Sequence, residues 1–565
     1  MITNGKRQTI SQFPSRGYLS TISPILHFGV GDITKIDTLT VTWESGKQEQ
    51  LFEVVTNQVL TLDEKNAKAV KRKTIAINPI FTEVEPPLFY ENKGNNFRDF
   101  DRQPLLICQL SHRGPCMAKG DLNDDGIADI VFGGDLGQPT TLYLGGKNGG
   151  FTKRTAYFEK EANSVDTDIA IFDANNDGHS DILVASGGYH RFQKYDPLLQ
   201  DRLYLNDGKG NFSKAVKALP SIPTSTGAIA VSDINGDGFQ DIFVGGSVMP
   251  GEYPKSAKSS ILINDGQGKF TNQIHEIAPE LATIGIVTDA IWVDVNKDQQ
   301  EDLVVVGTWL PVSIFINNNG KLENQTNTYL DKNYHGWWNT IATADLNKDG
   351  QVDLLIGNQG LNNRFQVSEQ APATLTYADF DRNGSIDPIF SYSVQGKTYP
   401  DVTRDELLGQ LSGLRSRYTN FASYAEETIE DIFDEKALSN ANKLTANRME
   451  TTLFLSDAST GKYQLAELPK EVQFSPINAI QFLDYNQDGL VDVVLGGNNS
   501  YQKLRMGKAD ANYGILLEGK GNGEFAYITQ SRSGFQLKGD VQSIIRLEDL
   551  LIFGVHESNL VSYKF

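Results

Sequence analysis

The sequence predicts an all-β protein whose main part is a seven-bladed β-propeller, with eight blades as the alternative. A nine-residue pattern, Asp-x-Asn-x-Asp-Gly-x-x-Asp, occurs in seven copies, two of them variants, and their starts differ by 52, 60, 61, 51, 34 and 105 residues. A period of about 50–60 residues indicates a repeat architecture in which each unit buries a face against its neighbours. A β-helix is the weaker alternative, because its repeats are much shorter.

The unit around the second copy shows why a blade is predicted. An apolar strand over 169–172 enters the acidic pattern, and a second strand over 181–184 leaves it. A third strand and a glycine-rich turn follow over 202–212. Three or four short strands joined by tight turns are typical of a propeller blade.

Composition narrows the range of partners. The 565 residues carry a formal net charge of −20, from 51 Lys and Arg against 71 Asp and Glu. Nucleic acid and anionic membrane surfaces are disfavoured, because a polyanion needs a basic face on its partner. No run of about 18 apolar residues occurs, so no transmembrane segment is predicted.

The spacing within the pattern predicts calcium sites, up to seven in number. Ca²⁺ prefers about six to eight oxygen ligands, and carboxylates at positions 1, 5 and 9, a side-chain oxygen at 3 and a backbone carbonyl at 7 can converge on one ion. Glycine at position 6 permits the sharp reversal of the chain. Three acids in one loop repel each other unless a cation is present. The predicted ligands are Asp121, Asn123, Asp125, Asp129, Asp173, Asn175, Asp177, Asp181, Asp233, Asn235, Asp237, Asp241, Asp294, Asn296, Asp298, Asp302, Asp345, Asn347, Asp349, Asp353, Asp379, Asp381, Asn383, Asp387, Asp484, Asn486, Asp488 and Asp492.

Other interpretations of the pattern are weaker. An EF-hand needs a Glu at position 12 between two helices, whereas here an apolar strand follows the ninth residue. Plain Asx turns could explain a single copy, but seven copies with three acids each favour a metal. The copies are unequal: Gln299 replaces the glycine of the fourth, and the sixth has Asp381 and Asn383 exchanged relative to the others.

Domain boundaries follow from the repeats. Residues 1–75 are predicted to form a small β domain, and residues 76–565 the propeller, interrupted by a helical insertion at about 401–449. Thr403 and Glu406 form a capping box, and leucines at helical spacing follow. The sixth copy lies either on an extra hairpin of the fifth blade or at the start of a blade completed over 451–468.

The end of the chain adds a unit without an acidic loop. Strands are predicted over 541–547, 550–555 and 560–565, and the segment at about 80–107 could supply the strand that this last blade lacks. Two cysteines, Cys108 and Cys116, form either a disulfide, as an exported protein allows, or two buried thiols.

Two function classes remain open. The first is a non-catalytic, calcium-stabilised surface module that binds a glycan, a protein or a transporter complex, in adhesion or as an accessory of nutrient uptake. The second is a calcium-dependent propeller enzyme such as a polysaccharide lyase. The sequence contains no Gly-x-Ser-x-Gly elbow, no P-loop and no His-Glu-x-x-His pair, which favours the first class. One of two adjacent tryptophans could stack on a sugar, although packing within the blade explains both. Three arginines of the insertion could bind an anionic ligand, although a solvated surface explains them too. These candidate ligand-binding residues are Trp337, Trp338, Arg404, Arg415 and Arg417.

Taken together, the acidic repeats resemble the FG-GAP/VCBS family of integrin-α-like β-propellers. The segments 250–254, 336–339, 357–362 and 510–514 look like those of large bacterial surface proteins of this class. Residues 18–63 resemble the ASPIC/UnbV domain, which also occurs in cartilage acidic protein. That part of the resemblance rests on Gly17-Tyr18-Leu19-Ser20, Leu26-His27-Phe28-Gly29-Val30-Gly31, Val41-Thr42-Trp43 and Ser45-Gly46.

The resemblance implies an extracellular or bacterial outer-membrane location. Members of this class are often encoded near SusC/SusD-like nutrient transporters, so a protein, a glycan or such a complex is the expected partner. In such proteins the ASPIC/UnbV segment usually follows an earlier propeller. The expectation is therefore that this chain is the C-terminal part of a longer exported protein, whose signal or anchor lies in a preceding part.

Overall fold

The computed structural model describes residues 1–70 and 78–565. The chain divides into two compact units, Met1–Ile77 and Asn78–Phe565. No helix among the described residues is long and apolar enough to cross a membrane.

The first unit is built on one long antiparallel hairpin, Lys35–Thr42 with Lys47–Val55. Its strands alternate between half-buried and exposed positions, as expected for a sheet with one face covered. A 3-10 turn lies at Glu64–Asn66. In order across the sheet, the strands are Lys6–Arg7, Ile2–Thr3, Lys35–Thr42, Lys47–Val55 and Lys68–Ala69.

The second unit is a β-propeller, which confirms the predicted fold class. Among residues 78–565, seven antiparallel sheets are described here as blades; six have four strands, and blade 4 has four strands and a fifth, short one. Their strands are, for blade 1, Met117–Gly120, Asp129–Phe132, Thr141–Gly145 and Phe151–Arg154; for blade 2, Val165–Phe172, Asp181–Gly187, Arg202–Asn206 and Phe212–Lys214; for blade 3, Thr226–Ser232, Asp241–Gly246, Ser260–Asn264 and Phe270–Asn272; for blade 4, Ile286–Val293, Asp302–Pro311, Ser313–Asn317 and Leu322–Asn324; for blade 5, Thr340–Ala344, Asp353–Gly357, Thr452–Asp457 and Lys462–Ala466; for blade 6, Ile477–Leu483, Asp492–Gly497, Ile515–Gly519 and Phe525–Ile528; and for blade 7, Val541–Leu547, Leu550–Val555, Val561–Lys564 and Thr82–Val84.

The first strands of the blades form a closed ring. The first strand of each blade lies beside that of the next, and the first strand of blade 7 lies beside that of blade 1. Thr82–Val84 pairs with Val561–Lys564 as the outermost strand of blade 7. The start and the end of the unit therefore share one blade, as predicted from the segment at about 80–107.

The apolar core lies between neighbouring blades. Every residue of the second strand of blade 2, Asp181–Gly187, is buried, because both faces of each sheet pack against another sheet. Between blades 3 and 4, for example, Phe243 and Ile261 pack with Leu303 and Phe315. This explains why the second strands are continuous apolar runs without the alternation of a half-exposed strand.

The insertion is larger than the predicted helical segment at 401–449. It is a separate four-stranded sheet with short helices, placed between the second and third strands of blade 5. The predicted capping box at Thr403 and Glu406 is present. The elements of the insertion are the strands Ala373–Ala378, Asp387–Val394, Lys397–Pro400 and Asn442–Ala446, the α-helices Arg404–Gln410, Ile429–Ile432 and Glu435–Ser439, and the 3-10 helix Ser412–Ser416.

Two expectations about this region need correction. The segment 401–449 is not helical throughout, since Asn442–Ala446 is a strand that pairs with Ala373–Ala378. The sixth acidic copy does not begin a blade completed over 451–468, because Thr452–Asp457 pairs with Asp353–Gly357 and completes blade 5. It does not lie on an extra hairpin of the fifth blade either, because the two strands that it joins, Ala373–Ala378 and Asp387–Val394, belong to the separate inserted sheet.

Short elements connect the remaining strands. The short strand His335–Trp337 pairs with the second strand of blade 4. The other α-helices are single turns at Asp99–Arg102, Ile274–Ile277, Thr326–Tyr329 and Gln530–Ser533, and the other 3-10 turns lie at Glu159–Glu161, Pro197–Leu199, Pro279–Thr283, Lys470–Phe474 and Leu504–Met506.

Candidate functional site

The seven acidic copies are referred to as the acidic loops. Six of them join the first and second strands of blades 1 to 6. Because the strands of a blade are antiparallel, these six loops lie on one face of the propeller, here called the loop face, and the connections between second and third strands lie on the opposite face, the connection face. The remaining loop, 379–387, joins two strands of the inserted sheet. This placement explains the irregular spacings of 34 and 105 residues.

Each acidic loop is closed by hydrogen bonds from its own backbone. In the second loop, Asp173 accepts hydrogen bonds from the N–H groups of Asp177 at 3.2 Å and of Gly178 at 2.8 Å. Asn175 Oδ1 also accepts from the N–H of Asp177, at 3.3 Å. The first and fifth positions show the same pattern in the other copies. Sequence spacing alone thus fixes the orientation of the acidic side chains.

The ninth residue of each loop is the anchor to the blade. Asp181 is fully buried; its Oδ2 accepts from the N–H of Ala174 at 2.9 Å and its Oδ1 from the N–H of Asn206, on the third strand, at 2.8 Å. Burial, and to a smaller extent the nearby carboxylates of Asp173 and Asp177, raises the pKa of Asp181 to about 6. The carboxyl groups of Asp173, Asp177 and Asp181 are hard oxygen ligands, so a divalent cation in this loop would offset this cost.

Two positions in each loop adopt left-handed backbone geometry. Glycine at position 6 was expected to do so, and Gln299, which replaces it in the fourth loop, has φ of +72°. Position 4 was missed: its φ lies between +57° and +75° in all seven loops. Asn176 and Gly236 at this position are residue types that tolerate such a φ, and they were the available signal.

The loop of the inserted sheet has its own environment. One carboxylate oxygen each of Asp379, Asp381 and Asp387 lies within 4.8 Å of the other two. Gln410, at the end of the helix Arg404–Gln410, donates a hydrogen bond to Asp387 Oδ1 at 2.6 Å. The helix of the insertion therefore supports this loop in the way that a third strand supports the others.

A cavity of about 330 Å³ lies at the centre of the ring. Its wall includes residues of the first strands of the blades, and the segment 107–116 also lines it. Asp168 and Asp289 lie in this wall, where each accepts a hydrogen bond from the backbone of the following blade, at Ile229 and Ile341. Burial raises the pKa of Asp168 to about 7.

The two tryptophans have different surroundings. Trp338 is fully buried, and its Nε1 donates to the carbonyl oxygens of Leu310 at 3.1 Å and Tyr334 at 3.2 Å. It has no face open to a sugar, so a stacking role for Trp338 is wrong. Trp337 is half-buried against Trp309 and other rings and lines the central cavity.

The three arginines of the insertion bind the insertion itself. Arg404 Nε donates to the carbonyl oxygen of Tyr418 at 2.9 Å, and Arg415 Nε donates to that of Leu408 at 3.3 Å. Arg417 pairs with Glu427 at 3.0 Å. The structure does not gather the three guanidinium groups into one open basic site, since each has partners within its own subdomain.

An ion-pair cluster that the sequence did not reveal joins the insertion to blade 6. Arg505 lies in the connection after the second strand of blade 6 and contacts Asp401 Oδ2 from its Nε at 3.0 Å and Glu406 at 2.6 Å. Lys503 contacts Glu406 at 3.0 Å. The side chain of Asp401 is fully buried. The insertion is thereby fixed on the connection face. No local pattern links residues about 100 positions apart, so this contact had no sequence signal.

Both cysteines are free. Burial raises the pKa of Cys108 to about 11 and that of Cys116 above the ordinary range of a thiol. Of the two alternatives, the structure thus contains two thiols without a disulfide.

The family comparisons agree with the two units. Residues 1–69 match the family described as ASPIC and UnbV. Residues 121–184, 173–244 and 294–356 match the FG-GAP-like repeat. The chain therefore combines an ASPIC/UnbV segment with an FG-GAP-type β-propeller, and the resemblance inferred from the sequence is confirmed.

Solved structures similar to the chain include one that is described as a propeller. A lectin from Agrocybe aegerita, described by its recognition of non-reducing terminal N-acetylglucosamine, is 13% identical with a TM-score of 0.38, over 73% of this chain and 79% of that chain. The Dos1 propeller is 9% identical with a TM-score of 0.35, over 81% and 93%. Sqt1 from Saccharomyces cerevisiae is 11% identical with a TM-score of 0.37, over 84% and 99%. No curated protein is significantly similar in sequence.

Proposed function

We propose that this protein is a non-catalytic, calcium-binding β-propeller that serves as a binding or adhesion module of an exported or cell-surface protein. The observation that carries the proposal is the recurrence of one acidic loop, with one hydrogen-bond pattern, at the same place in six blades. A repeated donor set of this kind has a structural task, which is to hold the first and second strands of each blade together around an ion.

Calcium is the ion that suits these loops. Each offers carboxylates, an amide oxygen and a backbone carbonyl, which are the hard oxygen ligands that Ca²⁺ prefers. Seven divalent ions would offset 14 of the 20 excess negative charges of the chain. Because the ninth carboxylate is buried, its desolvation cost is removed by the bound ion, and calcium therefore favours the folded state.

The connection face is the proposed binding face. It carries the insertion 373–446, which the ring of blades does not require. Long insertions on a rigid scaffold are where recognition is commonly placed. The proposed partner is a protein or glycan at the cell surface, such as a SusC/SusD-like outer-membrane complex.

The calcium part of the proposal is tested by titration and variants. Calcium added to chelator-treated protein should raise the melting temperature and bind with a stoichiometry of about six or seven. Asp181→Asn should remove one equivalent, whereas Asp196→Asn, in a loop of the connection face, should remove none. Unchanged stoichiometry in both variants would contradict the assignment.

The binding part is tested by excision. Replacing residues 373–446 with a short Gly-Ser linker removes the complete inserted sheet and leaves the strands of blade 5. Wild type and the excised variant are compared on a glycan array and by crosslinking to outer-membrane proteins. The proposal predicts loss of binding with the propeller still folded; equal binding would contradict it. Unsaturated product from acidic polysaccharides would instead support the alternative, a calcium-dependent lyase.

A further inference from the structure

A second cluster of ligand-type side chains lies on the connection face, apart from the acidic loops. His556 and Glu557 follow the second strand of blade 7, and His112 belongs to the segment 107–116 that lines the cavity. One ligand atom of each residue lies within 4.8 Å of the other two. The side chains of His112 and His556 are 5% and 1% exposed, and that of Glu557 is 36% exposed.

Backbone carbonyls define the tautomer of both histidines. His112 Nε2 lies 3.0 Å from the carbonyl oxygen of Phe97, and His556 Nδ1 lies 3.2 Å from that of Gly114. A carbonyl oxygen only accepts, so each of these nitrogens must carry the proton. The lone pairs are therefore on His112 Nδ1 and His556 Nε2. Neither of these two buried nitrogens has a hydrogen-bond partner within residues 1–70 and 78–565.

Both unpaired nitrogens face the same carboxylate. Glu557 Oε1 lies 3.6 Å from His112 Nδ1 and 3.9 Å from His556 Nε2, which is too long for a hydrogen bond. Tyr501 donates its hydroxyl hydrogen to Glu557 Oε2, and its ring stacks on His112 with centroids 4.0 Å apart. The backbone N–H of Glu557 donates to Asn92 Oδ1 at 3.0 Å. All three side chains are thus held in place by neighbours.

The two histidine nitrogens and the carboxylate oxygen face one another with no hydrogen between them, and a positive charge at this point would stabilise the arrangement. Leaving buried nitrogens unpaired is unfavourable, and a cation between them offsets that cost. In a tetrahedral site with metal–ligand bonds of about 2.0–2.1 Å the ligand atoms lie roughly 3.3 Å apart. The two separations from Glu557 Oε1, 3.6 Å and 3.9 Å, exceed this value by a few tenths of an ångström.

We propose that His112, His556 and Glu557 bind a divalent transition-metal ion, with Zn²⁺ as the ion that this donor set suits. Two imidazole nitrogens and one carboxylate are typical zinc ligands, whereas calcium prefers oxygen. The hydrogen bonds from each second ring nitrogen to a carbonyl are the usual support of a metal-binding histidine. With three protein ligands and a partly exposed carboxylate, a fourth position is left for water or an exogenous ligand.

The test uses the full chain with its acidic loops saturated by calcium, so that added zinc does not bind to those loops. Zn²⁺ is titrated in competition with a chromophoric chelator, and bound zinc is counted by elemental analysis after dialysis. The wild type should bind one equivalent with a Kd below about 1 µM. Glu557→Gln and His556→Gln should each weaken binding at least about 100-fold. His275→Gln, at an exposed histidine, is the matched control and should bind as the wild type does.

A second readout guards against a folding defect. Tyr501→Phe removes only the hydroxyl that holds the carboxylate, and it should weaken Zn²⁺ binding about 10-fold or more with an unchanged circular dichroism spectrum. Co²⁺ should give the visible absorption of a four-coordinate site in the wild type and lose it in Glu557→Gln. The proposal is overturned if calcium-saturated wild type retains no zinc, or if the one equivalent it binds is insensitive to Glu557→Gln and His556→Gln.

Discussion

Replacing Gln299 with glycine should stabilise the protein. The side chain of Gln299 is exposed and forms no hydrogen bond within the described residues, so its removal leaves no partner unpaired. Gln299 occupies position 6 of the fourth acidic loop with φ of +72°, while the glycines at that position of the other loops have φ between +76° and +90°. The fourth loop keeps the same hydrogen bonds, with the N–H of Gln299 donating to Asp294 Oδ2 at 2.9 Å. The unusual backbone conformation is therefore imposed by the loop at a cost to this residue.

The magnitude follows from two opposing effects. A residue with a Cβ atom in the left-handed region costs about 1–2 kcal/mol, and Gln299→Gly removes this cost. The extra freedom of glycine in the unfolded chain takes back about 0.4–1 kcal/mol. The net expectation is an increase of about 0.5–1 kcal/mol in the free energy of unfolding.

The assay is chemical denaturation of matched variants, with calcium and with chelator. Gln299→Ala is the control that keeps the strain, and it should match the wild type. Gly178→Ala is the reverse test: a Cβ at Gly178 meets nothing within 4 Å, so its expected loss of about 1 kcal/mol comes from the backbone alone. If Gln299→Gly is no more stable than Gln299→Ala under either condition, the backbone argument is refuted.

Three further predictions concern other parts of the molecule. Chelation of calcium should lower the melting temperature, since each site at a hundredfold excess of ion over Kd contributes about 2.7 kcal/mol; an unchanged melting curve after verified removal of the ion would contradict this. Arg505→Ala should destabilise the insertion by on the order of 3 kcal/mol, because it removes the closest partner of the buried carboxylate of Asp401. This destabilisation should be detected as faster proteolysis within 401–446. The control Arg98→Ala, at an exposed pair, should cost under about 1 kcal/mol. Burial raises the pKa of Asp168 to about 7, above its value of about 4 in the unfolded chain, so the folded state binds the proton more tightly and the free energy of unfolding should fall as the pH rises from about 4 to 7. Asp168→Asn should flatten this pH dependence, and a pH dependence equal to that of the wild type would contradict the assignment.

Features that depend on a few neighbouring residues could be predicted from the amino-acid sequence. The acidic loops are each nine contiguous residues, so their spacing reports both the turn and the orientation of its carboxylates. The capping box at Thr403 and the strands of the last unit were predicted for the same reason. The missing strand was also predicted, because a ring of blades must close and the segment at about 80–107 was the unassigned part of the chain.

Tertiary structure decided everything that joins distant parts of the chain. Whether the strand at 452–457 completes blade 5 or a blade of its own depends on which edge it pairs with, and the loops carry no information about that choice. The burial of Trp338 depends on the strand with which the preceding residues His335–Trp337 pair, which is the second strand of blade 4. His112 and Glu557 are separated by 445 positions, and they meet only because blade 7 closes the ring beside the segment that lines the cavity. Local spacing encodes a loop within a few residues, whereas a site built from both ends of a closed ring exists only after the ring has formed.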